Sequence, residues 1–183
     1  MNETIQCEHG VFLSVFEHGL LIKGAAGLGK STLALELVER GHQFICDDVV
    51  DFFINNTQPN QHPNQIMGKS PLILKDLLAV RDLGVLNIPH LFSADCCLPQ
   101  HPLDFIIELV DDEHALTTTL EAKSSEAMIL DQLIPIQTIH AHPKRNLSII
   151  VEIAVKNYIL CKQGQDANAL LKKRQQQYMQ SLS

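Results

Sequence analysis

The stretch Gly24-Ala25-Ala26-Gly27-Leu28-Gly29-Lys30-Ser31 constrains this chain more than any other. It satisfies every fixed position of the pattern G-x-x-x-x-G-K-[ST]. Leu20-Leu21-Ile22 before it has the character of a short buried strand, and Thr32 to Arg40 after it reads as a helix. A glycine-rich turn between a strand and a helix start lets backbone N–H groups converge on phosphate oxygens. The helix N-terminus adds its partial positive charge. The pattern puts Lys30 against the β- and γ-phosphates of a nucleotide and the Ser31 hydroxyl on Mg²⁺, with Gly24, Ala25, Ala26, Gly27, Leu28, Gly29 and Thr32 as the surrounding contacts. A chance glycine-rich turn has no reason to be framed by both elements. The fold class expected is therefore α/β, a sheet with flanking helices built around a phosphate-binding loop.

Composition narrows the rest. The 183 residues suit one domain, 1–183, and 45% hydrophobic against 19% charged residues places the chain among globular proteins. A net charge of −7 argues against a nucleic-acid partner. No apolar run reaches the roughly 18 residues of a membrane span. Met1-Asn2-Glu3-Thr4 has no basic segment leading into an apolar core, so no signal peptide is expected. The five cysteines, Cys7, Cys46, Cys96, Cys97 and Cys161, are odd in number and contain no C-x-x-C. That pattern reads as reduced thiols in a cytoplasmic protein.

Along the chain, Gly10 to Phe16 has a strand pattern, Glu17-His18-Gly19 a turn, and Leu20 to Lys23 a second strand, a hairpin delivering the phosphate loop. Leu33, Leu37 and Val38 give the following helix one apolar face, and Gly41 sits where a helix-ending glycine belongs. Gln43 to Cys46 reads as a strand running into Asp47-Asp48. Ligands of open α/β sheets lie beyond the carboxyl ends of strands. Two carboxylates there divide two tasks, one holding Mg²⁺ directly or through water and one accepting a hydroxyl proton. Taken alone, Asp-Asp also suits a polar turn or helix cap.

Val49 to Ile54 continues as a strand or hairpin arm. Asn55 to Ser70 is rich in Asn, Gln and Pro and reads as a long mobile loop, either lying over the site or a tolerated insertion. Val85 to Ile88 reads as strand or short helix, and Ile106 to Val110 and Ile134 to Ile139 as strands. Asp111-Asp112-Glu113 reads as a solvated turn. His140 and His142 are expected on one strand face, but without a third ligand in suitable spacing zinc is not expected. Leu147 to Cys161 is a helix candidate, and residues 165–180 an amphipathic terminal helix whose Leu170 and Leu171 dock on the core or on a neighbouring subunit.

Several blocks, in order, resemble the catalytic domain of the bacterial HPr kinase/phosphorylase family. They are His9-Gly10-Val11, the phosphate loop, Ala34 to His42 followed by Asp47-Asp48-Val49-Val50, Pro143-Lys144-Arg145-Asn146-Leu147, Val151-Glu152-Ile153-Ala154 through Asn157, and Gly164 to Ala169. The resemblance starts near the first residue and covers the catalytic part, so the regulatory N-terminal domain of many members is not expected here. The resemblance implies a P-loop domain related to phosphoenolpyruvate carboxykinase, assembled as a homo-oligomer, often a hexamer. It implies ATP and Mg²⁺ as cofactors and a serine of the phosphocarrier protein HPr as the acceptor, with phosphorolysis as the reverse reaction. It carries Lys30 over as a phosphate contact, Ser31 and Asp48 as metal-side groups, Asp47 as general base, His9 as a histidine close to the active site, and Arg145 as a phosphate or partner contact.

Two departures from the family's pattern stand out. Its central motif, Leu-Glu-Ile-Arg-Gly-Leu-Gly-Ile, is here Leu78-Ala79-Val80-Arg81-Asp82-Leu83-Gly84-Val85. The metal-side glutamate is Ala79, and Asp82 offers a carboxylate three residues later. The second departure is the absence of any arginine between Arg81 and Arg145. The family carries one there that is tied to catalysis, especially phosphorolysis; Lys123 offers a charge in its place but not its planar fork. The expectation is a serine kinase acting on HPr or a related carrier, with weakened phosphorolysis. The alternatives are a kinase of the same fold with another substrate, or a nucleotide-binding regulator with little catalysis.

Overall fold

Val11–Val15 is buried at every position, so the sheet that holds it must be covered on both faces. The computed structural model describes residues 4–55, 64–111 and 125–181. In chain order its elements are β1 (Ile5–His9), β2 (Val11–Val15), β3 (His18–Gly24), α1 (Lys30–Glu39), β4 (Gln43–Cys46), β5 (Val49–Asn55), β6 (Gln65–Lys69), β7 (Leu77–Val80), β8 (Gly84–Asn87), α2 (Ile88–Leu91), β9 (Gln100–Pro102), β10 (Phe105–Asp111), β11 (Ser125–Ile129), β12 (Gln132–Ala141), α3 (Leu147–Lys162) and α4 (Ala167–Ser181).

Among the described residues, a six-stranded sheet in the order β11-β12-β10-β3-β2-β4 lies at the centre. Its strands alternate their side chains between two cores. Val11, Leu13, Leu20 and Ile22 face Leu33 and Leu37 of α1 and Val151 and Val155 of α3. Phe12, Leu21 and Ile106 face the other way, onto Val50, Phe52 and Ile66 of a four-stranded sheet ordered β1-β5-β6-β9. The result is a layer of helices, a mixed central sheet and a second sheet, an α/β architecture. β7 and β8 form a separate two-stranded hairpin.

Strand directions decide where chemistry can occur. β10 is parallel to both β3 and β12, while β2 is antiparallel to β3 and to β4. β3, β4, β10 and β12 therefore all point the same way. Their carboxyl ends bring the phosphate loop, Asp47-Asp48, Asp111 and the 142–146 segment to one edge, the edge where ligands of such sheets bind.

Several expectations hold and others move. α1 ends at Gly41, with φ +91, through Gly41 N–H to Val38 O and His42 N–H to Leu37 O, at 2.9 and 3.0 Å. That is the double closure of a glycine-terminated helix. The β2–β3 turn falls on Phe16 and Glu17, at φ 50 and 65, with His18 already in β3. The aromatic ring explains the shift. Phe16 lies edge-on to His42 at 4.8 Å and under the Lys156 ammonium at 4.6 Å, so its packing holds a left-handed backbone. The loop expected over 55–70 is shorter, because Gln65–Lys69 is a strand paired with both β5 and β9. Its polar neighbours masked a strand whose Ile66 and Gly68 pack inward; a Cβ on Gly68 would meet the Phe12 and Phe52 rings at 2.6 Å. Residues 56–63 lie outside the described residues, as do Asp112, Glu113 and Lys123. β12 ends at Ala141, so His142 lies beyond the strand that carries His140. α4 forms where the terminal helix was expected and is exposed along its length. Among the described residues, no helix is long and apolar enough to cross a membrane.

Candidate active site

The loop from β3 into α1 turns through Gly27 and Gly29, both left-handed at φ 86 and 81 and both with open space where a side chain would stand. Glycine alone takes that conformation freely, and it leaves the backbone N–H groups at the start of α1 uncovered. Gly29 caps the helix with no side chain involved. The Lys30 ammonium stays at the loop mouth, donating to the carbonyls of Gly24 and Ala25 at 2.8 and 3.0 Å.

β4 delivers Asp47 and Asp48 beside this loop with different surroundings. Asp47 is 8% exposed. Its carboxylate accepts from the Ser31 hydroxyl at 3.2–3.3 Å and from the Ala79 N–H at 3.3 Å. Burial pushes its carboxyl above the usual range despite those donors. Asp48 carries a left-handed backbone, φ 72, and its side chain is 75% exposed. The segment linking β1 to β2 holds it from behind. Gly10 N–H donates to Asp48 O at 3.1 Å, and His9 Nδ1 lies 3.2 Å from the same carbonyl and 3.9 Å from the Asp48 carboxylate. Gly10 permits this crossing, since a Cβ there would stand 2.6 Å from Ile22 O.

These groups line a cavity of about 760 Å³ that includes His9, Lys30, Ser31, Asp47, Asp48 and Ala79. A second cavity of about 860 Å³ adjoins it, sharing Gly27, Gly29 and Thr32. Leu28, Lys144 and Arg145 line this second space. Arg145 is thus on the far side of the loop from the acidic pair, with its guanidinium donating to His140 O at 3.2 Å. The structure brings together His9, the loop, Ser31, Asp47 and Asp48, and sets Arg145 apart.

The family resemblance implies Ser31 and Asp48 on the metal side; the contact in the structure is between Ser31 and Asp47. Ala79 projects into the cavity from β7, and Asp82, in the β7–β8 turn at φ 69, is not among the cavity-lining residues. Arg81 does line the cavity. It was visible in the central motif, but only its hairpin position reveals its orientation to the site. Among the described residues no group of three or more His, Cys, Asp and Glu could form a protein-only metal cage. A hydroxyl and a carboxylate side by side at a phosphate loop are the hard oxygen donors that Mg²⁺ takes when phosphates and water complete its shell, so the residues present fit that ion.

The chain is similar to known proteins in sequence and fold. The family model described as HPr Serine kinase C-terminal domain matches residues 2–175. The HPr kinase/phosphorylase of Neisseria meningitidis (serogroup C, strain FAM18) is 42% identical over 172 residues, 92% of this chain and 52% of that protein. The HPr kinase/phosphorylase of Geobacillus thermodenitrificans is 36% identical over 160 residues, 87% of this chain and 50% of that protein. The chain spans about half the length of the curated relatives it matches. The solved structure of the HPr(Ser) kinase/phosphatase from Coxiella burnetii superposes with a TM-score of 0.78 at 33% identity, covering 91% of this chain and 98% of that one.

Proposed function

This chain belongs to the HPr serine kinase C-terminal domain family, and we propose that it transfers the γ-phosphate of ATP to a serine of HPr or a related carrier protein, with weakened phosphorolysis. The observation that carries this reading is the Ser31–Asp47 contact at the mouth of the phosphate loop, with the exposed Asp48 carboxylate beside it. The finer fold reading is a phosphoenolpyruvate-carboxykinase-like P-loop domain. Oligomerisation belongs to the same proposal, with α4 covered by a neighbouring copy.

The nucleotide phosphates lie over Gly24 to Ser31, with backbone N–H groups and Lys30 meeting their oxygens. The nucleoside extends past Thr32 into the second cavity, where Arg145 contacts it. Ser31 and Asp47 would hold Mg²⁺, which would supply charge neutralisation at the phosphates. The family resemblance implies Asp47 as base and Ser31 with Asp48 at the metal; the Ser31–Asp47 contact favours the exchanged pairing. Asp48 is the carboxylate an incoming hydroxyl can reach. It takes the serine proton as the oxygen attacks the γ-phosphorus and the bond to the β-phosphate breaks. His9 positions Asp48 through its backbone carbonyl. In reverse Asp48 returns the proton.

The test is a transfer assay with labelled ATP, Mg²⁺ and HPr. Phosphoserine on HPr that disappears with Lys30→Ala supports the reading. Nucleotide binding without transfer to HPr or to any other carrier favours a nucleotide-binding regulator. Ala79 is the specific observation behind that second reading, because it places a methyl group where another acid would face the cavity.

Ala79→Glu is the corresponding gain. A third carboxylate facing Ser31 and Asp47 lowers the Mg²⁺ concentration needed for half-maximal nucleotide binding by about tenfold, since one charge-assisted contact contributes roughly 1.5–3 kcal/mol. A Mg²⁺ titration of binding of a fluorescent ATP analogue reads this directly, and an unchanged midpoint rules it out.

A further inference from the structure

Cys96 and Cys97 are neighbours in sequence and in space, with their sulfurs 3.8 Å apart and both side chains half-buried. Adjacent residues in an extended strand point to opposite faces. Here Cys96 ends a 3-10 turn and Cys97 is extended, and that change of backbone turns both thiols to one side. The same short segment is stitched to the free edge of β4. Leu98 N–H donates to Phe44 O at 2.8 Å, Phe44 and Cys97 form a parallel bridge, and Gln43 Nε2 donates to Asp95 O at 3.0 Å. β4 is the strand that carries Asp47 at its carboxyl end. The remaining cysteines are placed differently: Cys46 is buried with its thiol donating to Val49 O at 2.8 Å, and Cys7 and Cys161 are exposed far along the chain from this pair.

We propose that Cys96 and Cys97 are a redox-active dithiol, which a low-molecular-weight disulfide converts to a Cys96–Cys97 disulfide, loosening the edge of the strand that positions Asp47. In the first step the Cys96 thiolate attacks the small disulfide. One S–S bond breaks, a mixed disulfide forms on Cys96, and one small thiol leaves with the proton Cys96 lost. In the second step Cys97 attacks the Cys96 sulfur, closes the ring, and releases the second small thiol with its own proton. The pair is oxidised by two electrons and the small disulfide is reduced by two. Burial and the adjacent Cys96 push the Cys97 thiol up, which disfavours it as the opening nucleophile. Ring closure requires both side chains to rotate together. Cys97 is bridged to Phe44, so the rotation pulls on β4 three residues before Asp47.

The disulfide itself stands on the geometry of the pair; its effect on nucleotide rests on the function proposed above. The experiment incubates the full chain with oxidised glutathione and maps peptides by mass without reduction, alongside binding of a fluorescent ATP analogue. The expected result is loss of two hydrogens from the peptide containing Cys96 and Cys97, with no glutathione attached. Nucleotide affinity falls several-fold, and dithiothreitol reverses both changes. Cys97→Ser should stop at a glutathione adduct on Cys96 and keep its affinity. A pair that remains as thiols, or a wild-type chain that keeps glutathione on Cys96, overturns the site. A disulfide that leaves nucleotide affinity unchanged overturns its link to Asp47. Reduced protein that binds no nucleotide instead refutes the functional reading, and the mass map still decides the disulfide.

Discussion

Asp48→Asn lowers the rate of phosphoryl transfer by about 10²–10⁴, the usual contribution of a positioned general base, and leaves the Mg²⁺ dependence of nucleotide binding as it was. Asp47→Asn also lowers transfer, but it shifts the Mg²⁺ requirement upward at the same time. The difference follows from where the two carboxylates sit. Asp47 is buried against the Ser31 hydroxyl and the Ala79 N–H. An amide there keeps one acceptor oxygen but loses the charge that would hold a divalent ion. Asp48 faces the open cavity, with His9 Nδ1 3.9 Å from its carboxylate. An amide there keeps the shape and removes the proton acceptor. Single-turnover rates and Mg²⁺ titrations on both variants separate the roles. If Asp48→Asn raises the Mg²⁺ midpoint and Asp47→Asn does not, the assignment returns to Asp47 as base and Asp48 at the metal.

Glu152→Ala destabilises the fold by about 3 kcal/mol, the low end of what breaking a buried ion pair costs. Glu152 rises from α3 and is 8% exposed. Its two oxygens take the Arg40 guanidinium as a fork, Nε at 2.7 Å and Nη2 at 2.6 Å, and His42 Nε2 lies 3.0 Å from one of them. The cluster ties the end of α1 to α3, so it fixes the helix layer behind the phosphate loop. Removing the carboxylate leaves a buried imidazole and a guanidinium without their acceptor. Arg40 is 41% exposed and recovers part of its loss in water, which sets the figure at the low end. The pH dependence has a definite sign. The Arg40 guanidinium, and after it His42, hold the Glu152 carboxyl at about 2 against an ordinary 4.5. A carboxyl lowered in the folded state stabilises fully above 4.5, and that contribution disappears as pH falls from 4.5 toward 2. Urea unfolding of wild type and Glu152→Ala therefore shows a gap that is widest at neutral pH and narrows below pH 4.5. A gap that stays constant down to pH 3 would mean the carboxylate's charge is not what stabilises the layer.

The site and the fold were legible to different depths, and particular residues show why. The phosphate loop, its strand and its helix could be read because the whole signal lies within two dozen consecutive residues. Glycine at 27 and 29 has a local cause, the left-handed backbone each adopts. Gly41 closes α1 for an equally local reason. β6 was missed because five strand residues follow a polar stretch, and what makes them a strand is pairing with β5 on the other side of that stretch and with β9, far along the chain. Asp82 offered a carboxylate at a tempting spacing, but the hairpin turn at that position carries it away from the cavity that Ala79 and Arg81 line. Spacing along a chain gives no direction when a tight turn intervenes.

By itself, the sequence determined the groups available here: the eight-residue loop pattern Gly24 to Ser31 with its lysine and hydroxyl, and two adjacent acids, together with the α/β class that holds them. Those are matters of composition and short-range geometry, where one residue dictates the conformation of its neighbours. Only the tertiary structure decided which acid lies against Ser31, that Arg145 lines a second cavity, and that the Cys96–Cys97 segment rests against the edge of β4. Each of these depends on strand direction and register between segments separated by tens of residues. Such pairings are selected by burying two faces of one sheet at once, a condition that the whole chain meets together and that no short stretch encodes.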